Sequence, residues 1–171
     1  MKGYVQVYTG NGKGKTTAAL GLAVRAAGAG LSVFIGQFLK KGEFSEIKAL
    51  REFNGNITVA QFGQGRFIKG EPSPSDVAAA EAGLETVRKA MASGSFDVMV
   101  LDEANGAVAV GLFPVSALID LIDHKPDAME MVITGRSAHE EIIRRADLVT
   151  EMKAIKHYFD KGVGARAGIE K

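Results

Sequence analysis

Apolar residues along the chain follow two different spacings. Short runs rich in β-branched and aromatic residues predict strands, and longer stretches with apolar residues every three or four positions predict helices. The predicted strands are 4–8, 32–38, 57–62, 96–103, 130–134 and 148–152. The predicted helices are 16–27, 45–53, 74–92, 114–123 and 137–145. This alternation predicts an α/β fold with three layers, in which a mostly parallel sheet carries helices on both faces.

Two of the predicted helices are preceded by residues typical of a capping box. Ser73-Pro74-Ser75-Asp76 predicts a capping box, with Ser73 as the cap, Pro74 in the first helical position and Asp76 closing the box. Ser137 and Glu140 have the same spacing, and predict a second capping box before the helix that ends at Arg145.

A glycine- and lysine-rich stretch lies between the first strand and the first helix. It reads Thr9-Gly10-Asn11-Gly12-Lys13-Gly14-Lys15-Thr16-Thr17. A strand, a glycine-rich loop and a helix form the context that a phosphate-binding loop needs, because backbone N–H groups and the helix N-terminus then face the same anion. Lys15 is placed to reach the terminal phosphates, and the Thr16 hydroxyl to ligate Mg²⁺.

The loop departs from the usual spacing at one position. The first glycine of the pattern should stand at position 9, which is Thr9, and Gly10 and Gly12 supply the flexibility instead. The alternative is an ordinary surface turn before a helix. The flanking strand and helix favour the phosphate loop.

The stretch 96–103 carries two adjacent acids at its end, Asp102 and Glu103. A buried strand with acids at its carboxyl end is the usual metal-binding partner of a phosphate loop. Because side chains alternate along a strand, we expect only one of the two acids to face the nucleotide. Taken alone, the pair is equally consistent with solvated acids at the end of a strand.

Three further segments are candidates for the site. Arg136 follows a predicted strand and lies at the sheet edge where such folds bind ligands, although a surface salt bridge explains it as well. The glycine-rich segment 63–72 is either a binding loop or a connector. The tail 153–171 is either an ordered flap over the site or a frayed end.

The composition excludes several classes of protein to which the chain could otherwise belong. The net charge of +1 gives no electrostatic reason to expect nucleic acid or an anionic membrane as partner. The chain has no cysteine, which excludes disulfides, cysteine-ligated zinc and thiol catalysis and fits a cytoplasmic location. The apolar stretch 18–36 is interrupted by Arg25 and two glycines, so a buried helix and strand are expected there rather than a membrane span. The absence of repeats and linkers predicts one domain, 1–171.

The whole chain resembles the corrinoid adenosyltransferases of the phosphate-loop type. Four stretches carry the resemblance: 8–19, Val100-Leu101-Asp102-Glu103, Ile133-Thr134-Gly135-Arg136 and the tail 152–170. The tail, which reads Met-Lys-Ala-Ile-Lys-His-Tyr-Phe-Asp-Lys-Gly-Val-Gly-Ala-Arg-Ala-Gly-Ile-Glu, is the most specific of them, and Thr9 is itself part of the family's pattern.

The resemblance implies a P-loop NTPase (RecA-like) fold and an adenosyl transfer. Enzymes of this family use a Co(I) corrinoid to attack the 5′ carbon of ATP, and triphosphate leaves. Carried over to this chain, residues 9–17 form the nucleotide-binding loop, of which residues 11–17 hold the triphosphate. Lys15, Thr16 and Glu103 are then the catalytic group. Thr16 and Glu103 hold Mg²⁺, and Asp102 is a further metal partner. Gln37, Arg136 and His157 are expected to contribute to binding.

The corrinoid half of the resemblance departs from the better-known bacterial members. Those carry a Gly-Phe-x-Trp stretch that packs on the corrin ring, whereas this chain has Gly65-Arg66-Phe67-Ile68 and no tryptophan. Phe67 and Ile68 are the expected replacements. The resemblance also implies an electron-donating reductase as partner and a homodimer. Two other functions are consistent with the residues: a general ATPase or kinase on the same fold, and a nucleotide-binding module without catalysis.

Overall fold

The computed structural model describes residues 2–53, 55–65, 68 and 70–170. Within them, six strands form one sheet in the order β3-β2-β4-β5-β1-β6, and every neighbouring pair is parallel. The strands are β1 (Val5–Thr9), β2 (Val33–Gln37), β3 (Ile57–Gln61), β4 (Val98–Asp102), β5 (Glu130–Thr134) and β6 (Leu148–Glu151). The sheet was predicted to be mostly parallel and is parallel throughout its described strands.

Helices connect the strands and cover both faces of the sheet. They are α1 (Lys15–Gly28), α2 (Ser45–Arg51), α3 (Pro74–Ala92), α4 (Ala104–Ala109), α5 (Val115–Asp123) and α6 (Glu140–Arg145), followed by a 3₁₀ turn at Tyr158–Lys161. All the predicted strands and helices are present, with ends that differ by a few residues. The three-layer architecture is therefore confirmed.

Alternate residues of each central strand enter two separate cores. On β4, Val98 and Val100 pack with α1, whereas Met99 and Leu101 pack with the helices of the opposite face. Because both faces are covered, the strand is apolar at every position until its last residue, Asp102. The same alternation places Asp102 on the α1 face, which is the face of the phosphate loop.

The first helix approaches the sheet closely because its inward residues are small. Its buried apolar face consists of Ala19, Ala23, Ala26 and Ala27. This close approach holds the N-terminus of α1, and the loop before it, directly above the ends of the central strands.

The capping box before α3 is confirmed. The Ser73 hydroxyl accepts the Asp76 backbone N–H, and the Asp76 carboxylate accepts the Ser73 N–H at 2.9 Å. The second predicted box, with Ser137 and Glu140, is wrong. Ser137 has a left-handed backbone (φ 53°), and the helix begins only at Glu140, with the His139 ring accepting the Glu141 N–H.

Helix α4 was not predicted. Its sequence, Ala104-Asn105-Gly106-Ala107-Val108-Ala109, is only six residues long, lacks a capping side chain and contains a glycine. It begins directly at the end of β4, where Glu103 takes a left-handed backbone (φ 58°). No helix in the described part of the chain is long and apolar enough to cross a membrane.

Candidate active site at the carboxyl edge of the sheet

The loop between β1 and α1 packs against the end of β6. The Gly12 N–H donates to the Met152 carbonyl at 2.7 Å, and the Met152 N–H donates to the Thr9 carbonyl at 2.9 Å. A Cβ atom at Gly10 or Gly12 would lie 2.5 or 2.7 Å from that same Met152 oxygen. Glycine is therefore required at positions 10 and 12, whereas position 9 is still part of the strand and tolerates threonine.

Lys15 folds over the loop that precedes it. Its ammonium donates to the Gly10 carbonyl at 2.8 Å and to the Gly12 carbonyl at 2.9 Å. Burial lowers the pKa of Lys15, and the nearby Arg136 lowers it further against the opposing effect of Glu103 and Asp102. A buried cation held only by neutral carbonyls is well suited to bind an incoming anion.

A row of polar side chains crosses four neighbouring strands at their carboxyl ends. The Gln61 amide donates to Gln37 at 3.0 Å, Gln37 donates to Asp102 at 3.1 Å, and the Thr134 hydroxyl donates to Asp102 at 2.7 Å. Each residue is the last of its strand: β3, β2, β4 and β5. We call Gln61, Gln37, Asp102 and Thr134 the polar row.

Asp102 links the polar row to the phosphate loop. Its carboxylate is fully buried and accepts the Thr16 hydroxyl at 2.8 Å on one oxygen and the Lys40 ammonium at 2.8 Å on the other. With Gln37 and Thr134, these donors number two for each oxygen. Four donors satisfy the lone pairs of a carboxylate, and one full positive charge compensates its burial.

Glu103 is the second acid of the pair and has a different environment. Burial raises the pKa of its carboxyl group, and the neighbouring Asp102 raises it further, against Lys40, Lys15 and Arg136. No described residue donates a hydrogen bond to this carboxylate. Of the two acids, only Glu103 lines the cavities described below, and Asp102 is fully buried behind them, which agrees with the expectation that one acid faces the site.

Two cavities meet at this edge and share one wall. The first, of about 640 Å³, is lined by the loop residues 11–17, Lys40, the tail residues 168–170 and the start of α2. The second, of about 940 Å³, is lined by apolar side chains that include Leu39, Ile68, Val110 and Phe159. The shared wall consists of Asn11, Lys40, Glu103, Arg136 and His157. One cavity is basic, its neighbour is largely apolar, and a small molecule could contact both.

Strained backbone is concentrated on the second cavity. Leu39 (φ 61°), Glu103 (φ 58°) and Ser137 (φ 53°) are the described non-glycine residues with positive φ, and all three line it. They follow β2, β4 and β5 respectively. Such conformations cost of order 1–3 kcal/mol each and are retained mainly where function requires them.

The tail is ordered against the phosphate loop, as the flap interpretation predicted. The Lys13 ammonium donates to Glu170 at 2.8 Å and to the Tyr158 hydroxyl at 3.0 Å. Arg166 lies 3.1 Å from the same Glu170 carboxylate, and Arg166 and Lys13 hold the pKa of that group well below its usual range. The tail therefore closes one side of the first cavity.

The structure brings most of the predicted site residues together. The loop residues 11–17, Glu103, Arg136 and His157 line the first cavity, and Ile68 lines the second. Thr9, Gly10, Gln37 and Asp102 line neither of these two cavities and lie behind them. Phe67 lies outside the described residues. Arg136 forms no salt bridge with a described residue, in contrast to the surface-pair interpretation.

Sequence reasoning missed several residues of the site: Leu39, Lys40, Gly106, Ser137, Phe159 and Glu170. Lys40 could have been predicted by the criterion used for Arg136, because it too is a cation shortly after the carboxyl end of a strand. Gly106 carried no local signal, because the helix that contains it was not predicted.

Gly135 fixes the distance between β5 and α4. A Cβ atom there would lie 2.6 Å from the Gly106 backbone nitrogen, and its φ is 132°. We expect Gly135→Ala to lower the free energy of unfolding by about 2–3 kcal/mol, because backbone cannot move aside as a side chain can. Urea denaturation measures this change.

Gly111→Ala is the matched control, since Gly111 also has a positive φ (79°) but a Cβ atom there would have nothing within 4 Å. It should cost only about 1 kcal/mol, the backbone strain alone. Equal losses in the two variants would show that the contact with α4 is unimportant.

A parallel α/β sheet with a phosphate loop, buried acids and cations at its carboxyl edge defines a phosphate-loop nucleotide-binding protein. The family model described as ATP:corrinoid adenosyltransferase BtuR/CobO/CobP matches residues 1–170. The chain belongs to this family, and the resemblance seen in the sequence is confirmed.

Curated relatives agree with this assignment. The corrinoid adenosyltransferase of Escherichia coli (strain K12) is 36% identical over 169 residues, which is 99% of this chain and 86% of that protein. Corrinoid adenosyltransferase CobA of Salmonella typhimurium shows the same identity and coverage. The corrinoid adenosyltransferase of Pseudomonas aeruginosa is 34% identical over 170 residues, 99% of this chain and 84% of that protein.

Proposed function

We propose that this protein transfers the 5′-deoxyadenosyl group of ATP to the Co(I) centre of a corrinoid, in adenosylcobalamin synthesis or salvage. The cobalt electron pair forms the cobalt–carbon bond, the carbon–oxygen bond of ATP breaks, and triphosphate leaves with that bond's electrons. The observation that carries the proposal is the pair of cavities with a shared wall. A basic cavity beside an apolar one suits a polyanionic leaving group next to a corrin ring.

The first cavity supplies the groups that a departing triphosphate needs. Lys15 is already desolvated, Lys13 and Arg136 add positive charge, and the loop backbone surrounds the same space. Preorganised cations of this kind stabilise charge that develops in the transition state without reorganising during the reaction. Because Co(I) is the nucleophile, no protein base is needed, and the protein's task is alignment.

Thr16 and Glu103 have the chemistry of a magnesium site. The Thr16 hydroxyl donates a hydrogen bond to Asp102, and its oxygen accepts one from the Lys40 ammonium at 3.3 Å, so this oxygen already lies beside a cation. The Glu103 carboxylate has no hydrogen-bond donor among the described residues. Mg²⁺ typically takes one or two protein oxygens and completes its shell with phosphates and water. Consistent with this, no cluster of three metal-binding side chains occurs in the described part of the chain. When bound, Mg²⁺ would offset charge on the leaving triphosphate.

The decisive experiment is an anaerobic assay with ATP and chemically reduced Co(I) corrinoid. The proposal expects the corrinoid absorbance to change to that of the alkylated form, with one triphosphate released per corrinoid. Release of ADP and phosphate independent of corrinoid would instead identify an ATPase. ATP binding without any change in the corrinoid spectrum would identify a non-catalytic module.

Phe159 is the candidate contact for the corrin ring. Its side chain lines the second cavity although 74% of it is exposed. Covering such a ring contributes roughly 1.5–3 kcal/mol. We therefore expect Phe159→Ala to raise the KM for corrinoid about tenfold and to leave the KM for ATP within about twofold, as measured by initial rates.

Ile155→Ala is the control for that variant. Ile155 is also an apolar residue of the tail and is 91% exposed, but it lines neither cavity. Both KM values should stay near those of the wild type. If Phe159→Ala instead raises both KM values equally, Phe159 shapes the tail and does not contact the corrinoid.

The proposal extends to the protein's organisation. It comprises a single domain over 1–171, a cytoplasmic location, a homodimer and a reductase that supplies the electron for Co(I). The absence of cysteine supports the location, and the family supports the dimer and the reductase. Light scattering coupled to gel filtration tests the dimer, with a monomeric mass as the contradicting result.

A further inference from the structure

Lys40 lies at the point where the two acids, the phosphate loop and both cavities meet. Its ammonium is 2.8 Å from one Asp102 oxygen and 3.3 Å from the Thr16 hydroxyl oxygen. A carboxylate and a threonine hydroxyl at the first turn of a phosphate-loop helix are the oxygen donors that a divalent cation uses. A lysine ammonium thus occupies a position with the ligands of a metal.

The main chain around Lys40 is fixed on both sides. The Phe38 N–H donates to the Asp102 carbonyl at 2.9 Å, and the Gly63 N–H donates to the Lys40 carbonyl at 3.0 Å. Further along, the Gln61 amide oxygen of the polar row accepts the Gly42 N–H at 3.1 Å. The Lys40 side chain has room to move, since 24% of it is exposed and it lines both cavities.

The charges do not allow Lys40 and a divalent cation to share this position. A unit charge and a divalent ion a few ångströms apart repel by several kcal/mol, even at the effective dielectric constant of a protein surface. Asp102 has no free acceptor position, because four donors already fill its oxygens. A cation that approaches Thr16 and Asp102 must therefore displace the ammonium.

We propose that Lys40 is the resident counter-cation of Asp102, a positioning residue that occupies the cation position between Asp102 and Thr16 and yields it to the divalent metal. The inference rests on the proposed function, in which Thr16 and its neighbouring acids bind a metal. In addition, metal binding is then an exchange in which the divalent metal replaces the Lys40 ammonium. The displaced ammonium stays within the wall that the two cavities share, where Lys40 lines both.

The first test measures binding of Mn²⁺ alone, without nucleotide or corrinoid, by electron paramagnetic resonance. Lys40→Met should bind Mn²⁺ about tenfold more tightly than the wild type, because the competing charge is gone. Lys41→Met is the matched control, since Lys41 is exposed and lines neither cavity, and its affinity should stay within about twofold. Equal or weaker binding by Lys40→Met, or no binding by either protein, overturns the proposal.

A double variant locates the effect. Lys40→Met combined with Asp102→Asn removes both charges, so the gain in Mn²⁺ affinity should disappear. A gain that persists in the double variant would mean that Lys40 does not act through Asp102, and would overturn the proposal. The double variant also removes the uncompensated buried charge, which guards against a misfolded single variant.

A second measurement uses the unaltered protein. Reductive methylation followed by peptide mass spectrometry reports the exposure of each lysine. Saturating Mn²⁺ should increase the labelling rate of Lys40 at least threefold and leave that of Lys41 unchanged, whereas an unchanged Lys40 rate contradicts displacement. These readouts do not involve the corrinoid. If the Mn²⁺ affinities and labelling rates are as expected but no alkylated corrinoid forms, only the proposed function is wrong. If the corrinoid is alkylated but these measurements contradict the displacement of Lys40, only the role of Lys40 is wrong.

Discussion

Replacing Lys15 by methionine should reduce adenosyl transfer by about 100- to 1000-fold and leave the fold intact. The loss follows because Lys15 is the buried cation of the phosphate loop, and removal of one such preorganised group costs this much in the transition state. Stability should change little, since burial lowers the pKa of Lys15 and the charged form therefore already costs the folded protein free energy at neutral pH. Steady-state rates and thermal unfolding measure the two effects.

Lys13→Met is the control within the same loop. Lys13 is partly exposed and pairs with Glu170 of the tail, and that hydrogen bond raises its pKa. Its loss should lower the rate less than tenfold, since the charge of Lys13 is exposed to solvent and already paired with Glu170, so it contributes less to the triphosphate than the buried charge of Lys15. Turnover near the wild-type level in Lys15→Met would refute the role of Lys15 as the phosphate-binding cation.

Glu103→Gln should abolish metal-dependent turnover and, at pH 8, make the free protein more stable by about 1 kcal/mol. Burial raises the folded-state pKa of Glu103 above its ordinary value of 4.5. Below pH 4.5 the Glu103 carboxyl group is protonated in both the folded and the unfolded protein, and its burial does not destabilise the wild type. The wild type loses stability as the pH rises through the folded-state pKa, because a charged carboxylate is then buried. The advantage of the glutamine variant should be absent at pH 4 and present at pH 8, as measured by urea unfolding at both values.

Glu46→Gln provides the comparison, because Glu46 lines the same first cavity but follows no central strand. Its turnover should stay within about threefold of the wild type. A Glu103 variant that retains full metal-dependent activity, or that is destabilised at pH 8, would contradict the assignment of this carboxylate to the cation.

The sequence was informative wherever a local rule determines structure. Strand alternation predicted the layers, and the glycine-rich loop 9–17 predicted the edge of the sheet at which the first cavity lies. The predicted strand 96–103 extends one residue too far at its carboxyl end, because Glu103 has a left-handed backbone that ends the strand and starts α4. Nothing local distinguishes that glutamate from the last residue of a longer strand.

Tertiary contacts account for the rest of what was missed. Lys40 contacts Asp102 because β2 lies beside β4 in the sheet. The local periodicity of the sequence does not predict the order of the strands. The tail likewise contacts the phosphate loop through Lys13, whose partners Tyr158 and Glu170 are 145 and 157 residues away in sequence. The sequence identifies these residues as charged, but it does not predict which of them form contacts in the folded protein.

The polar row also determines how the strands of the sheet align. Gln37 stands opposite Gln61 on one side and Asp102 on the other. If β4 slipped by one residue against its neighbours, Asp102 would turn toward the opposite apolar core and lose its donors there. An uncompensated buried charge of this kind is strongly destabilising, by about 3–5 kcal/mol. The acid at the centre of the site therefore also selects against misaligned sheets during folding.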